Sequence, residues 1–147
     1  GILSWGQDMD FETNPYQCGL GWQVDFSKEN FIGKRALQEI KDKGVTHKLA
    51  GIKMGGEAID WYPADFYNVF YDNEVVGYVT SAFYSPAMGC NIGYAMLPVD
   101  LTEDGTELQV KLDDQYAKEP VWAETVPTPF KQPEAPGTGL STMGRKL

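Results

Sequence analysis

Apolar positions along this chain change their spacing twice. Up to Phe26, aromatics and turn formers follow one another without a fixed period, and Asp8 and Asp10 precede Asn14-Pro15. The residue before a proline is pushed out of the helical region, which predicts loop. The run Leu20 to Phe26 then alternates about Trp22, Val24 and Phe26. A period of two predicts a half-buried strand with an aromatic inner face. From Lys34 to Lys43 the spacing lengthens: Ala36, Leu37 and Ile40 fall three and four apart, Glu39 precedes Lys43 by four, and Gly44 follows. That predicts a short amphipathic helix with a glycine stop. Gly33, at its start, offers free backbone N–H groups of the kind that can face an anion.

From His47 onward the pattern is that of strands. His47 to Met54 reads as a strand broken by Gly55-Gly56, and Trp61-Tyr62-Pro63 opens an irregular segment. Phe66 to Tyr71 and Val75 to Ala82 flank Asp72-Asn73-Glu74, a hairpin signal. Asn91 to Leu97, Glu107 to Leu112 and Val121 to Val126 complete the set, with an Asp104-Gly105 turn among them. Short strands at this spacing predict a small closed or nearly closed β barrel in place of a parallel sheet. Beyond Pro127 the chain is rich in proline and glycine and is expected to be extended or disordered.

The 147 residues allow one ordinary domain, or a small domain plus part of another. At 42% apolar, 22% charged and 13% aromatic, the composition is that of a folded soluble protein. The net charge of −9 supplies no phosphate-neutralising field, so nucleic acid is excluded as the expected partner. The apolar runs, such as Tyr94 to Val99, are too short to span a bilayer as a helix. Two cysteines, Cys18 and Cys90, make no disulfide framework, and a reducing compartment is expected. The chain opens Gly1-Ile2-Leu3-Ser4, without an initiator methionine or basic leader, which predicts a processed product or a piece of a longer protein.

Counting removes several chemistries. His47 is the single histidine, and neither Ser81 nor Cys90 lies in a nucleophile motif. Cysteine and histidine are too few for a zinc site, so no metal is expected. Asp8, Asp10 and Glu12 imitate the start of a calcium loop, but Thr13 and Gly19 stand where that loop needs glycine and glutamate. What remains is Trp5, Asp8, Asp10, Tyr16, Trp22 and Lys28, a set suited to line a pocket for a flat heteroaromatic ligand.

Gly6-Gln7-Asp8-Met9-Asp10, Asn14-Pro15-Tyr16, Gly19-Leu20-Gly21-Trp22 and Asn30-Phe31-Ile32-Gly33-Lys34 with Ala36-Leu37 resemble the glycine cleavage T-protein, or aminomethyltransferase, family. Val79-Thr80-Ser81, Tyr84-Ser85-Pro86 and Asn91-Ile92-Gly93 resemble its barrel-domain signature. The match runs from Gly1 to about Phe130, in one order. The opening and the Thr125 to Phe130 ending look closer to folate-dependent demethylase-like members, such as dimethylsulfoniopropionate demethylase.

The resemblance implies a mainly β fold, α+β overall: a six-stranded-type barrel preceded by the last strand and helix of a ferredoxin-like folate-binding domain. Residues 1–46 would be the end of that domain, 47–127 the barrel and 128–147 a tail. It implies tetrahydrofolate as cofactor and a small methyl or aminomethyl donor as the other partner. Lys28, Tyr16, Trp22 and Lys131 would be the cofactor-binding residues here, with Ser81 and Tyr84 on a barrel loop near the site. The glutamate that binds the pterin and the catalytic aspartate belong to upstream motifs absent from this sequence. The chain is therefore expected to be inactive alone and to self-associate through exposed apolar surface. The expected compartment is the cytoplasm, or the mitochondrial matrix in a eukaryote. The rival expectation is a non-catalytic barrel module that binds a partner subunit or completes a neighbouring active site.

Overall fold

The computed structural model describes residues 2–62 and 65–130. Six strands follow one helix: α1 (Lys34–Lys43), β1 (His47–Met54), β2 (Tyr67–Tyr71), β3 (Glu74–Ser85), β4 (Cys90–Pro98), β5 (Glu107–Val110) and β6 (Val121–Val126). The strands form a closed antiparallel barrel in the order β1-β4-β3-β2-β5-β6, and β1 closes the ring by pairing with β6, Gly51 opposite Val126. The predicted barrel is therefore present, with β1, β6 and α1 at their predicted limits. β3 continues to Ser85, and β5 ends at Val110.

Alternation along each strand fills the barrel. Ile52 and Met54 of β1, Val69 of β2, Val79 of β3, Ala95 and Leu97 of β4, Leu108 and Val110 of β5 and Ala123 of β6 all point into one apolar cluster. Each fully buried branched side chain contributes about 1.5–3 kcal/mol, so this cluster dominates the fold's stability. The β2–β3 hairpin turns on Asp72 and Asn73, both at positive φ (50° and 65°), the geometry a two-residue turn of twist-matching hand requires. Strands approach closely at Gly93, where an added Cβ would run into the Ser81 carbonyl oxygen.

Asn91 closes one end of the barrel. Buried inside β4, its Oδ1 accepts the Ile59 N–H at 2.9 Å while its Nδ2 donates to the carbonyls of Gly55 and Glu57 at 3.0 and 2.9 Å. One side chain thus satisfies three groups of the irregular β1–β2 connection, which buried backbone requires.

The strand predicted over Leu20 to Phe26 is not formed. Gly21–Gln23 is one turn of 3-10 helix, with the Gln23 and Val24 N–H groups bonded to the Leu20 and Gly21 carbonyls. Gly19 sits at φ +70° and the Leu20 N–H returns to the Pro15 carbonyl, so the backbone is satisfied locally. A period of two marks a strand only where a neighbour supplies a ladder, and none lies beside this run among the described residues. The Trp22 side chain, expected to face inward, is 80% exposed.

Candidate functional site

Residues 2–46 lie against the outside of the barrel and are held there by few contacts. The principal one is Asp8. It is 2% exposed, and its Oδ1 accepts from the hydroxyls of Thr80 (2.5 Å) and Ser81 (2.8 Å) while Oδ2 accepts the Ser4 N–H (2.8 Å). Two consecutive strand residues ordinarily face opposite sides of a sheet. Here the β3–β4 register shifts between Val79 and Ser81, a bulge at Thr80 that turns both hydroxyls to the same carboxylate. Val79 still faces the core. A second tie runs from the Leu49 N–H of β1 to the Gln17 carbonyl at 2.7 Å.

The turns of this segment are built by its own side chains. Asp10 Oδ1 accepts from the Glu12 and Thr13 N–H groups, and Asn14 Oδ1 from those of Tyr16 and Gln17. Lys34 Nζ donates to the carbonyls of Phe26, Lys28 and Glu29, so the first residue of α1 fastens the loop that precedes it. Burial pushes the Cys18 thiol up, leaving it a poor nucleophile at neutral pH. Among the described residues no group of three or more His, Cys, Asp or Glu side chains is placed to hold a metal ion.

The six residues proposed to line one pocket are dispersed. Trp5 packs edge-on to Phe11 at 5.0 Å, Asp8 is under the segment, and Asp10 is in an exposed turn. The Tyr16 ring lies against Gly21, with its hydroxyl buried and unpaired. Trp22 stands in solvent, and the Lys28 ammonium has no partner among the described residues. Lys131 lies outside the described residues, as does the predicted tail from 131 on. Ser81 and Tyr84 are on strand β3, not on a loop: the β3 ladder to β4 runs on to Ser85 opposite Cys90.

Ser81, which donates to Asp8, also lines a pocket of about 460 Å³ between the ends of β3 and β4, with Phe83, Met88, Ile92, Tyr94 and Phe130 among its other walls. Tyr94 and Phe130 pack at 5.5 Å. The Tyr94 phenol is pushed up by burial and then by the Asp8 charge. Sequence reasoning assigned no role to Tyr94 and placed Asp8 in a ligand pocket of its own. Sequence alone carried no signal for this clamp, because neighbouring strand residues ordinarily face opposite sides and only the bulge turns both hydroxyls to Asp8. A folate-sized ligand requires facing rings and converging polar groups. Tyr16 meets Gly21 beside Trp22, while the Trp22 ring itself stands 80% exposed.

The most exposed large apolar side chains of the described residues lie in residues 2–46. Phe11, Trp22 and Ile32 are 94%, 80% and 103% exposed, and no residue of α1 is buried although its polar and apolar positions are segregated. In residues 2–46 only Asp8 and Cys18 are buried.

The profile of the glycine cleavage T-protein C-terminal barrel domain matches residues 47–131. The chain is 37% identical over 130 residues to an aminomethyltransferase of Oceanobacillus iheyensis, covering 88% of this chain and 33% of that protein. It is 39% identical over 130 residues to an aminomethyltransferase of Listeria monocytogenes, covering 88% and 34%. The crystal structure of glycine cleavage system aminomethyltransferase T from Bartonella henselae superposes with a TM-score of 0.76 at 22% identity, over 89% of this chain and 36% of that one. The chain spans about a third of the length of the relatives it matches.

Proposed function

The chain belongs to the glycine cleavage T-protein family, as a C-terminal portion carrying the barrel domain, and from that premise we propose that it serves a tetrahydrofolate-dependent one-carbon transferase that takes its carbon from an aminomethyl donor. The chain's own part is to form one wall of the site. The supporting observation is the state of residues 2–46: clamped to the barrel through Asp8, yet with Phe11, Trp22, Ile32 and the apolar stripe of α1 uncovered. Large apolar side chains left this exposed suit an interaction surface, and the remainder of a relative-length protein is the cover we infer for them. With that cover in place, Trp22 and Lys28 would lie at a junction able to hold a flat ligand with an anionic edge. The Asp8 clamp would fix the junction's position against Ser81 and Tyr94.

The test is tetrahydrofolate titration of this chain and of a polypeptide of the relatives' full length that contains it, read by tryptophan fluorescence. The longer polypeptide is expected to bind at about 1–100 μM and to lose at least about fivefold in affinity on Trp22→Ala. This chain alone is expected to bind more weakly than about 1 mM, a gap of roughly 1.4–4 kcal/mol. Micromolar binding by the chain alone would overturn the one-wall reading. No binding by the longer polypeptide would overturn the enzyme reading and leave the non-catalytic barrel module.

A further inference from the structure

The barrel's most sparsely paired seam is the one between β2 and β5. β2 and β5 pair at only two positions, Val69 opposite Val110 and Phe70 opposite Gln109. Continuing that register would set Tyr71 opposite Leu108 and Asp72 opposite Glu107, but neither pair forms. Two causes act together. The β2–β3 register shifts between Val69 and Phe70, a bulge that bends the hairpin tip away. The missing pair would also place two carboxylates directly opposite each other, which is destabilising in a ladder. On its other side β5 is fully paired with β6, from Glu107–Glu124 to Val110–Val121.

The result is a notch of about 640 Å³ between the hairpin tip and the start of β5. Its walls present the exposed rings of Tyr71 and Trp122 and the carboxylates of Asp72 and Glu107, and no lysine or arginine lines it. Lys53 lies against the Trp122 ring at 5.4 Å and is paired with Glu124 at 3.2 Å, so its charge is already committed. The notch thus combines an unpaired strand edge, two aromatic faces and uncompensated negative charge.

The geometry points to this notch as a docking site for an extended, lysine- or arginine-bearing segment of a partner protein, which adds to the β2-facing edge at Glu107. An added strand takes up the backbone groups that the splayed seam leaves without a ladder. A basic side chain placed between Asp72 and Glu107 neutralises the repulsion that holds them apart. Alkyl stems of such side chains pack on Tyr71 and Trp122. The notch shares no lining residue with the Asp8 clamp, so it does not rest on the one-carbon reading.

The experiment uses the full chain, ¹⁵N-labelled, titrated with a short capped peptide alternating valine and lysine, and with its valine–glutamate counterpart. The lysine peptide is expected to shift the amides of Tyr71, Asp72, Glu107 and Leu108, and to lose at least about fivefold in affinity between 0.1 and roughly 0.5 M salt as screening rises. Glu107→Lys and Asp72→Lys should each weaken it about tenfold, while methylating alternate peptide nitrogens should abolish it. Equal binding of both peptides, shifts mapping elsewhere, or indifference to both variants would overturn the proposal. So would concentration-dependent shifts of these amides in the chain alone, which would make a second copy the occupant.

Discussion

Replacing Asp8 by alanine removes the acceptor for three donors: Ser4 N–H, Thr80 Oγ and Ser81 Oγ. A hydrogen bond to a charged group is worth about 1.5–3 kcal/mol, so a simple sum would approach 4.5–9 kcal/mol. The structure argues for less. Thr80 Oγ has a second acceptor in the Tyr94 carbonyl at 3.2 Å, and the partly exposed Ser81 hydroxyl can turn to water. The net cost of Asp8→Ala is therefore set near 3 kcal/mol. It falls on attachment of the opening segment, because among the described residues no other side-chain hydrogen bond joins that segment to β3. Asp8→Asn keeps one accepting oxygen and should cost about half as much. Hydrogen exchange reads this directly. The Gly6 amide, bonded to the Met9 carbonyl at 2.7 Å, and the Asp8 amide, bonded to the Ser4 carbonyl at 2.9 Å, should lose about 100-fold in protection in Asp8→Ala. Amides of Ile52 and Val69 in the barrel should be unchanged. Combining Asp8→Ala with Ser81→Ala should cost less than the sum of the two by about 1 kcal/mol. Equal loss of protection in barrel and segment, or none in the segment, would refute the clamp.

Asn91→Ala strands three backbone groups of the β1–β2 connection and should lower barrel stability by about 3 kcal/mol in denaturant unfolding. Asn73→Gly relieves a positive-φ position and should raise it by roughly 0.5–1 kcal/mol, whereas Asn73→Val should lower it by at least as much. Gly77→Ala drives a Cβ into the Met96 carbonyl oxygen and should cost about 3 kcal/mol or prevent folding, visible as loss of the two-state transition. The Tyr67 phenol is pushed above its ordinary value of 10.0, by burial first and then by its bond to Asp113. The folded state holds this proton more tightly than the unfolded one, so its contribution is full below pH 10 and is lost as the pH climbs above it. Tyr67→Phe should flatten that alkaline fall in an unfolding series.

The barrel was readable because short apolar runs recur between turn signals, and because Asp72-Asn73 accepts the backbone sign a tight hairpin demands. Leu20 to Phe26 shows where that reasoning stops. Alternation records which side chains could share a face, but a strand also needs a partner edge, and that is a property of another part of the chain. Thr80 shows a second limit. A bulge shifts the phase of everything after it, and the two adjacent hydroxyls gave no hint of it without the carboxylate seventy-two positions earlier that receives them. Trp22 and Tyr16 were legible as unusual residues, but their separation depends on the turns set by Asn14 and Gly19.

The closing pair of the barrel also orders events in time. β1 and β6 are the first and last strands of the ring, and Met54 meets Ala123 across almost the whole length of the domain. As the polypeptide leaves a ribosome, β1 to β4 can assemble into an open sheet long before β6 exists, with β1 and β2 as its bare margins. β5 covers the β2 margin when it emerges, but the β1 margin must wait until the last strand arrives, and contacts so far apart in sequence form slowly. The vulnerable interval for this protein is therefore late in synthesis, and a chain stalled before Val121 would present two sticky edges to its neighbours.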